Sequence, residues 1–322
     1  MNKICYGCGI KLQSIDKDKE GYIPKEKEDS SYCQRCFRLM HYGINNYNKA
    51  PKSTTSLINA VNKDDKFVIF LVPFFNIRSE IIKTFNKIKC NKLLVISKKD
   101  LIPKSIKENN IIDYLKNYYK ISAPIKFISS LNSIGINNIK KYLADNIITN
   151  TYILGETNSG KSTFINRLLD LYDKNLNKIA TSNKSNTTLD FIRIPISEKL
   201  TLIDSPGFVF DTIHNEEVSK GQIKPRTFQM KENEILAINN IYIKFKQKAN
   251  ITIYINNNIF IKKYYKEAIF KSNLHVSKNS DIILKGLGFI NIKQDCELKF
   301  SNIEQKHIEI RKSIFGVNHE QD

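Results

Sequence analysis

The chain has 322 residues, and 41% of them are hydrophobic, so it is long enough for two or three domains with real cores. Its net charge is +19, from 51 Lys and Arg residues against 32 Asp and Glu residues. An ordinary soluble enzyme does not carry such a charge without a reason, and the excess indicates an anionic partner, most often nucleic acid. A coding bias toward Lys, Asn and Ile is the competing explanation for part of it.

No run of 18 apolar residues is present, so the sequence predicts no membrane span. The first residues also lack the apolar segment of a secretory signal peptide. We therefore expect a cytoplasmic protein that is monomeric and does not bind membranes.

Four of the six cysteines form two Cys-x-x-Cys pairs near the N-terminus, namely Cys5 with Cys8 and Cys33 with Cys36. Four soft thiolates in this pattern are typical of tetrahedral Zn²⁺, and a segment this short needs a metal to fold. The sequence predicts a zinc-binding module over residues 1–45. Redox or incidental cysteines are the alternative.

Strands and helices then alternate, which indicates a parallel sheet with helices on both faces and an α/β fold. Apolar runs predict strands, and amphipathic stretches predict the helices between them. The strands are expected at 67–72, 92–96, 125–128, 151–154, 189–196 and 200–203, and the helices at 78–89, 105–119 and 136–146.

A glycine-rich stretch between the fourth strand and an amphipathic helix has the spacing of a phosphate-binding loop. Its glycines permit a tight turn that presents N–H groups to phosphate oxygens at a helix N-terminus. Lys161 is predicted to reach the β- and γ-phosphates, and the Ser162 hydroxyl to bind Mg²⁺. The loop comprises Gly155, Glu156, Thr157, Asn158, Ser159, Gly160, Lys161, Ser162 and Thr163.

The other elements of a guanine-nucleotide switch domain also have candidates, but in an unusual chain order. The base reader, Ser97-Lys98-Lys99-Asp100, and the base clamp, Ser129-Ser130-Leu131, precede the phosphate loop. The switch threonine, Thr187 or Thr188, and the Asp204-Ser205-Pro206-Gly207 motif follow it. The cyclic order is kept while the cut is moved, which is a circular permutation.

With these motifs, the chain resembles the YqeH-type circularly permuted GTPases, a family of ribosome biogenesis factors. The likeness covers nearly the whole chain. Besides the cysteine pairs and the permuted order, it includes Ile223-Lys224-Pro225-Arg226-Thr227 and Gly286-Leu287-Gly288-Phe289. The resemblance implies GTP hydrolysis and a role in small ribosomal subunit assembly, with ribosomal RNA or the small subunit as partner.

The resemblance also implies roles for individual residues. Asp100 would accept hydrogen bonds from the guanine N1–H and N2 amine, and Lys98 would pack along the base. Ser129 and Ser130 would cap the guanine O6 through backbone N–H groups. Asp204 would hold Mg²⁺ through water, Gly207 would donate its N–H to the γ-phosphate, and Thr187 or Thr188 would complete the Mg²⁺ shell.

Several positions depart from the family pattern or leave alternatives open. Ser97 replaces an Asn, which predicts weaker guanine binding, and Pro73-Phe74-Phe75 replaces acidic residues. Phe208 occupies the position of a water-orienting Gln, so catalysis must come from another group. Asn158 is either a K⁺ ligand or a residue that stabilises the turn.

Residues 216–322 are predicted to form a basic α/β domain that binds RNA or the ribosome. Residues 251–261 have the alternation of a hairpin with Asn at the turn, and later strands are expected at 281–284, 289–292 and 297–300. Lysines are interleaved with tyrosines, which suits RNA, although a solvated basic face over core tyrosines is the alternative.

These observations predict three parts: a zinc module over 1–45, a permuted GTPase domain over 46–215 and the C-terminal domain over 216–322. The expected function is GTP hydrolysis coupled to RNA or ribosome binding, with GTP or GDP, Mg²⁺ and Zn²⁺ bound and K⁺ as an open possibility. The alternatives are an ATP-using P-loop protein and a zinc-dependent nucleic-acid-binding module with a vestigial nucleotide site.

Overall fold

A computed structural model describes residues 3–5, 10–16, 21–27, 29–34, 53–129, 134–172, 191–213, 223–264, 269–270 and 272–316. The chain divides into two compact units. The first comprises Met1–Val72, Phe85–Ser97 and Ala123–Val209, and the second comprises Pro73–Thr84, Lys98–Ser122 and Phe210–Asp322. None of the helices in the described ranges is long and apolar enough to cross a bilayer.

A six-stranded sheet forms the centre of the first unit, with strand order β3-β2-β1-β4-β6-β5. All neighbours are parallel except β5 and β6, which are antiparallel, so the sheet is mixed at that edge. The strands are β1 (Phe67–Pro73), β2 (Lys92–Ser97), β3 (Ile125–Phe127), β4 (Asn150–Gly155), β5 (Ile192–Pro195) and β6 (Thr201–Asp204).

The strand order shows how the permutation is accommodated. The first strand of the sheet along the chain is the central β1; the chain then moves outward through β2 and β3 to one edge and returns to the centre as β4. It then builds the other edge with β5 and β6. Because β1 and β4 are adjacent and parallel, a different cut point leaves the sheet order unchanged.

Five α-helices occur in the described residues: α1 (Thr54–Asp64), α2 (Ser79–Asn86), α3 (Glu108–Tyr119), α4 (Ile134–Asp145) and α5 (Lys161–Leu171). Helices α4 and α5 share one core with alternate residues of the sheet, including Ile69, Leu71 and Ile153. On the opposite face, the Tyr152 hydroxyl of β4 donates a hydrogen bond of 2.6 Å to Asp64 at the end of α1. Helices therefore cover both faces of the sheet, as the strand–helix alternation predicts.

The C-terminal part of the second unit differs from the expected α/β domain. Its described residues, from 223 onward, contain strands and one 3-10 helix (Gln305–His307) but no α-helix. They form two antiparallel five-stranded sheets, with orders β16-β13-β14-β10-β7 and β11-β8-β9-β15-β12. The strands are β7 (Arg226–Met230), β8 (Ile235–Ile238), β9 (Ile241–Phe245), β10 (Ala249–Ile255), β11 (Ile261–Tyr264), β12 (Ser272–Val276), β13 (Ser280–Leu284), β14 (Gly288–Ile292), β15 (Cys296–Ser301) and β16 (Ile308–Lys312).

The two sheets bury a shared core of alternating apolar residues, which explains why this part of the chain needs no helix. Ile251, Ile253 and Ile255 of β10 contribute from the first sheet, while Ile243 and Phe245 of β9 contribute from the second. Each sheet thus covers the inner face of the other, as in a β-sandwich.

The predicted hairpin over residues 251–261 is wrong, because its two strands belong to different sheets. Strand β10 pairs with β7 and β14, whereas β11 pairs with β8. The asparagines between them form a crossing between sheets, in which the Asn256 side chain is buried and accepts a hydrogen bond of 3.0 Å from the Asn258 N–H. Alternation revealed the strands but not their partners.

The outer face of the first C-terminal sheet buries an ion pair. Arg311 Nε donates to Asp281 Oδ2 at 2.9 Å, and both side chains are fully buried. Arg311 also donates to the Ile77 carbonyl, and Asp281 accepts from Asn291 Nδ2 at 2.7 Å and from the Ile314 N–H at 3.0 Å. Burial alone would lower the pKa of Arg311, but the Asp281 carboxylate outweighs it and raises that pKa.

We expect Arg311→Met to lower the free energy of unfolding by about 3–5 kcal/mol, because it leaves the Asp281 carboxylate buried without its counter-ion. Urea unfolding followed by circular dichroism measures this loss. Lys306→Met is the matched control. It removes a cation from the exposed pair of Lys306 with Asp211 and should change the same quantity by about 1 kcal/mol or less. Equal losses in the two variants would contradict a structural role for the buried pair.

Candidate nucleotide site and cysteine cluster

The phosphate loop connects β4 to α5 and has the backbone that its sequence predicts. Gly155 ends β4, and a Cβ atom there would lie 2.6 Å from the Leu71 carbonyl oxygen of the neighbouring strand, so no larger residue fits. Asn158 and Gly160 adopt left-handed conformations with φ of 64° and 96°. Asn tolerates this conformation better than most residues, so the backbone alone explains why an Asn stands at position 158. Binding of K⁺ by Asn158 stays a prediction.

Lys161 lies inside the loop, with 7% of the residue exposed. Its Nζ donates to the Glu156 carbonyl at 3.0 Å and to the Gly155 carbonyl at 3.2 Å. Burial lowers the pKa of Lys161, and the carboxylates of Asp204 and Glu156 oppose that shift. The loop thus holds a cation at the N-terminus of α5, where an anionic ligand is also favoured by the helix dipole.

The segment after Asp204 is joined to the phosphate loop by main-chain hydrogen bonds. The Phe208 N–H donates to the Gly155 carbonyl at 3.0 Å, and the Thr157 N–H donates to the Phe208 carbonyl at 2.9 Å. A Cβ atom on Gly207 would lie 2.8 Å from the Thr157 nitrogen. The glycine is therefore required by the close approach of the two backbones.

Phe208 is part of the core of the first unit. Only 2% of the residue is exposed, and its ring stacks on Phe70 of β1 with centroids 5.6 Å apart. The side chain is thus directed away from solvent, in addition to lacking a group that orients water. This agrees with the prediction that Phe208 takes no part in positioning a nucleophile.

The base reader and the base clamp begin at the carboxyl ends of neighbouring strands. Ser97 ends β2, and its hydroxyl donates a hydrogen bond of 3.4 Å to the Ser159 carbonyl of the phosphate loop. Ser129 is buried two residues beyond Phe127, which pairs with Ile96 in the sheet. Since β2, β3, β4 and β6 are parallel, their carboxyl ends bring Ser97, Ser129, the loop and Asp204 to one edge.

The remaining candidate residues are described less fully. Lys98 has a left-handed backbone with φ of 62°, and Asp100 is exposed in the 3-10 helix Lys99–Leu101. Asp204 is fully buried, whereas Ser162 is half-buried in the first turn of α5. Ser130, Leu131, Thr187 and Thr188 lie outside the described residues, and so do Cys8 and Cys36.

Two of the four predicted zinc ligands are described, and they lie together. Cys5 and Cys33 are almost fully buried, and the Cys33 N–H donates to Cys5 Sγ at 3.1 Å. Leu12 and Ile23 complete this small core. Within the described ranges, no group of three or more potential ligands is present. A buried Cys5 thiol that accepts the N–H of a second buried cysteine fits the zinc prediction, because coordinating thiolates are commonly hydrogen-bonded.

The fold, with its nucleotide-binding motifs together at one edge of the sheet, defines a circularly permuted P-loop GTPase. Comparison with known proteins then gives the family. The RsgA GTPase family model matches residues 46–212, slightly more than half of the chain, and the 50S ribosome-binding GTPase model matches residues 150–275. The chain belongs to the RsgA GTPase family and is of the YqeH type. The general reaction of such GTPase domains is the hydrolysis of GTP.

Individual relatives are distant in sequence. The chain is 25% identical over 366 residues to the protein YqeH of Bacillus subtilis, with 97% of this chain and 99% of that protein covered. It is 29% identical over 241 residues to genetic interactor of prohibitins 3, mitochondrial, of Saccharomyces cerevisiae, covering 57% of this chain and 41% of that protein. The crystal structure of YjeQ from Thermotoga maritima matches with a TM-score of 0.29 and 20% identity, over 44% of this chain and 48% of that one.

We expect Ser97→Asn to strengthen guanine nucleotide binding several-fold. A single hydroxyl already engaged with the Ser159 carbonyl has no second donor for the base, whereas an amide has two donors and an acceptor. Titration with mant-GDP measures the gain, and mant-ADP tests base selectivity in the same variant. Ser97→Ala is the control, which should weaken mant-GDP binding. If Ser97→Asn bound mant-GDP no better than the unsubstituted protein, this explanation of the departure would be wrong.

The cysteine cluster predicts about one zinc per chain, as expected for a closed structural site. Elemental analysis of the purified protein measures it. Cys33→Ser should reduce the zinc content sharply, because it removes a buried thiol next to Cys5. Cys90→Ser is the matched control, since this buried thiol lies apart from the cluster and donates to the Val61 carbonyl. Full zinc content in Cys33→Ser would contradict the prediction.

Proposed function

We propose that this protein binds and hydrolyses GTP as an assembly factor of the small ribosomal subunit, and that the bound nucleotide controls its affinity for RNA or the ribosome. The observation that carries the proposal is the convergence of four motifs at the carboxyl ends of the parallel strands of one sheet. Both matching family models describe GTPases, and one describes ribosome binding. The choice of the small subunit follows from the resemblance to YqeH-type factors alone.

The site residues fit the chemistry of phosphoryl transfer to water. Lys161 would neutralise charge on the β- and γ-phosphates, and Gly207 would donate its N–H to the γ-phosphate. Ser162 and Asp204 are the oxygen donors available for Mg²⁺, which would supply further neutralisation when bound. Asp100 would select guanine through its two acceptor oxygens. Thr187 or Thr188 would join the Mg²⁺ shell, and Cys5, Cys8, Cys33 and Cys36 would hold zinc.

The part of the chain that joins Gly207 to the second unit is short. Only Phe208 and Val209 separate Gly207 from Phe210, the first residue of the following segment of the second unit. That segment is attached to the β-sandwich: the Ile213 N–H donates to the Lys285 carbonyl at 3.0 Å, and Asp211 pairs with Lys306 and His307. Hydrogen bonds from His307 and Lys306 lower the pKa of Asp211. A shift of Gly207 toward a γ-phosphate would therefore be transmitted through two residues to a segment that is bonded to the β-sandwich.

We expect association with small ribosomal subunits to differ about 5- to 150-fold between the states bound to GDP and to a non-hydrolysable GTP analogue, the usual range of allosteric coupling. Sedimentation with purified subunits at fixed salt measures it. Gly207→Ala should remove the difference, because its Cβ would displace the segment from Thr157.

Direct titration with mant-GDP is the control for this variant, since GDP does not need the Gly207 N–H. Equal affinity of the unsubstituted protein in the two nucleotide states would refute nucleotide control. If nucleotide did not bind at all while RNA did, the protein would be a binding module with a vestigial site.

A further inference from the structure

The outer face of the second C-terminal sheet has a composition that its fold does not explain. Its inner face belongs to the shared core, so alternate residues of β8, β9, β11, β12 and β15 point the other way. The strand register places most of these outward residues in two adjacent rows across the sheet, and the pair of His275 and Glu297 forms a third row beside them. One row is Tyr264, Ile235, Lys244, Lys299 and Asn273, and the next is Lys262, Ala237, Tyr242 and Ser301. We call these nine residues the lysine–tyrosine face.

Two lysines on this face are direct cross-strand partners. Lys244 of β9 is paired with Lys299 of β15. Like charges directly opposite each other in a sheet are destabilising, because their side chains project from Cβ atoms about 4.5–5.5 Å apart. Within these five strands the acidic residue is Glu297, which is opposite His275 rather than either lysine. The sheet therefore maintains a concentration of positive charge at a cost to its stability.

Aromatic rings lie directly beside these cations. The rings of Tyr242 and Tyr264 have centroids 4.7 Å apart, although the two residues lie on the strands that flank β8, where they are paired with Ala237 and Ile235. Lys262 Nζ lies 4.8 Å from the exposed Phe260 ring. Partly exposed rings on the outer face of a sheet provide stacking surfaces, and the neighbouring ammonium groups provide contacts for phosphates.

A second basic region on the same sandwich is less suited to an anion. Lys231, Lys248 and Lys263 line a cavity of about 760 Å³ beside β7 and β10. Lys263 is already paired with Glu234 at 2.7 Å and donates to the Gln229 carbonyl at 2.8 Å. The opposed lysines of the lysine–tyrosine face have no such carboxylate opposite them in the sheet.

From these observations we propose that the lysine–tyrosine face binds single-stranded RNA, with bases stacked on Tyr242 and Tyr264 and phosphates contacted by Lys244, Lys262 and Lys299. The proposal rests on the proposed function in that it locates the RNA contact of the same protein. An acidic peptide would use the lysines but not the rings, so the tyrosines distinguish the two partners.

The test measures fluorescence anisotropy of a labelled, mixed-sequence, single-stranded oligoribonucleotide with full-length protein free of nucleotide. The double variant Lys244→Gln/Lys299→Gln should bind more weakly. The slope of log affinity against log salt should fall by about 1.4, which is about 0.7 for each lost phosphate contact. Because the substitution removes like-charge repulsion, its Tm should stay the same or rise. The matched control is Lys278→Gln/Lys293→Gln, which removes two exposed lysines in turns outside the face.

Tyr242→Leu should weaken RNA binding roughly 5- to 150-fold through the loss of base stacking, whereas Tyr242→Phe should retain it. Equal loss in the control double variant would show that only net charge matters and would overturn the proposal. Tight binding of polyglutamate that depends on the lysines but not on Tyr242, or a preference for duplex RNA, would also overturn it. Titration of each variant with mant-GDP reports on the nucleotide site separately, so failure of the GTPase proposal would be recognised independently.

Discussion

The candidate site depends on the main-chain pairing of Phe208 with the phosphate loop. Two hydrogen bonds, each worth roughly 0.5–1.5 kcal/mol net, join Phe208 to Gly155 and Thr157. The buried ring adds about 1.5–3 kcal/mol from the removal of its apolar surface from water. A γ-phosphate contact supplies a coupling energy of only about 1–3 kcal/mol. The ring and the two hydrogen bonds together outweigh this coupling energy at mid-range values, so we expect nucleotide to rearrange hydrogen bonds near Gly207 while the Phe208 ring stays in the core.

This comparison gives Phe208 a specific role. The residue that replaces a water-orienting Gln would keep its ring in the core while the main chain on either side of it shifts with Gly207. The chain leaves the first unit one residue later, after Val209. It also leaves the same unit after Val72 and after Ser97, at the carboxyl ends of β1 and β2. All three departures occur at the edge of the sheet where the nucleotide motifs converge, so changes there are adjacent in the chain to the second unit.

The strands of the first unit were predictable because they are short apolar runs, and a recognisable motif stands at the carboxyl end of β2, β3, β4 and β6. The phosphate loop, Asp204 and Ser97 could be placed at one edge from strand alternation alone, since parallel strands end together. The C-terminal domain was less predictable. Its strands were visible from alternation, but Ile255 and Ile261 belong to different sheets, and nothing local encodes a crossing. Pairing across a sandwich depends on contacts distant in sequence, and the described residues from 223 onward form two packed β-sheets where α/β was expected.

The aromatic residues after β1 also have a physical explanation that the sequence could not provide. Phe74 is fully buried and packs within the second unit against Tyr254, Phe289 and Phe315, with centroids 6.4, 6.0 and 5.8 Å away. An acidic residue at this position would place a carboxylate among these rings, and the cation that lies over the Phe289 ring, Arg311, is already paired with Asp281. An unpaired buried charge costs several kcal/mol, so this chain uses the position for packing. The departure from the family pattern is thus explained by packing within the second unit, to which Phe74 belongs.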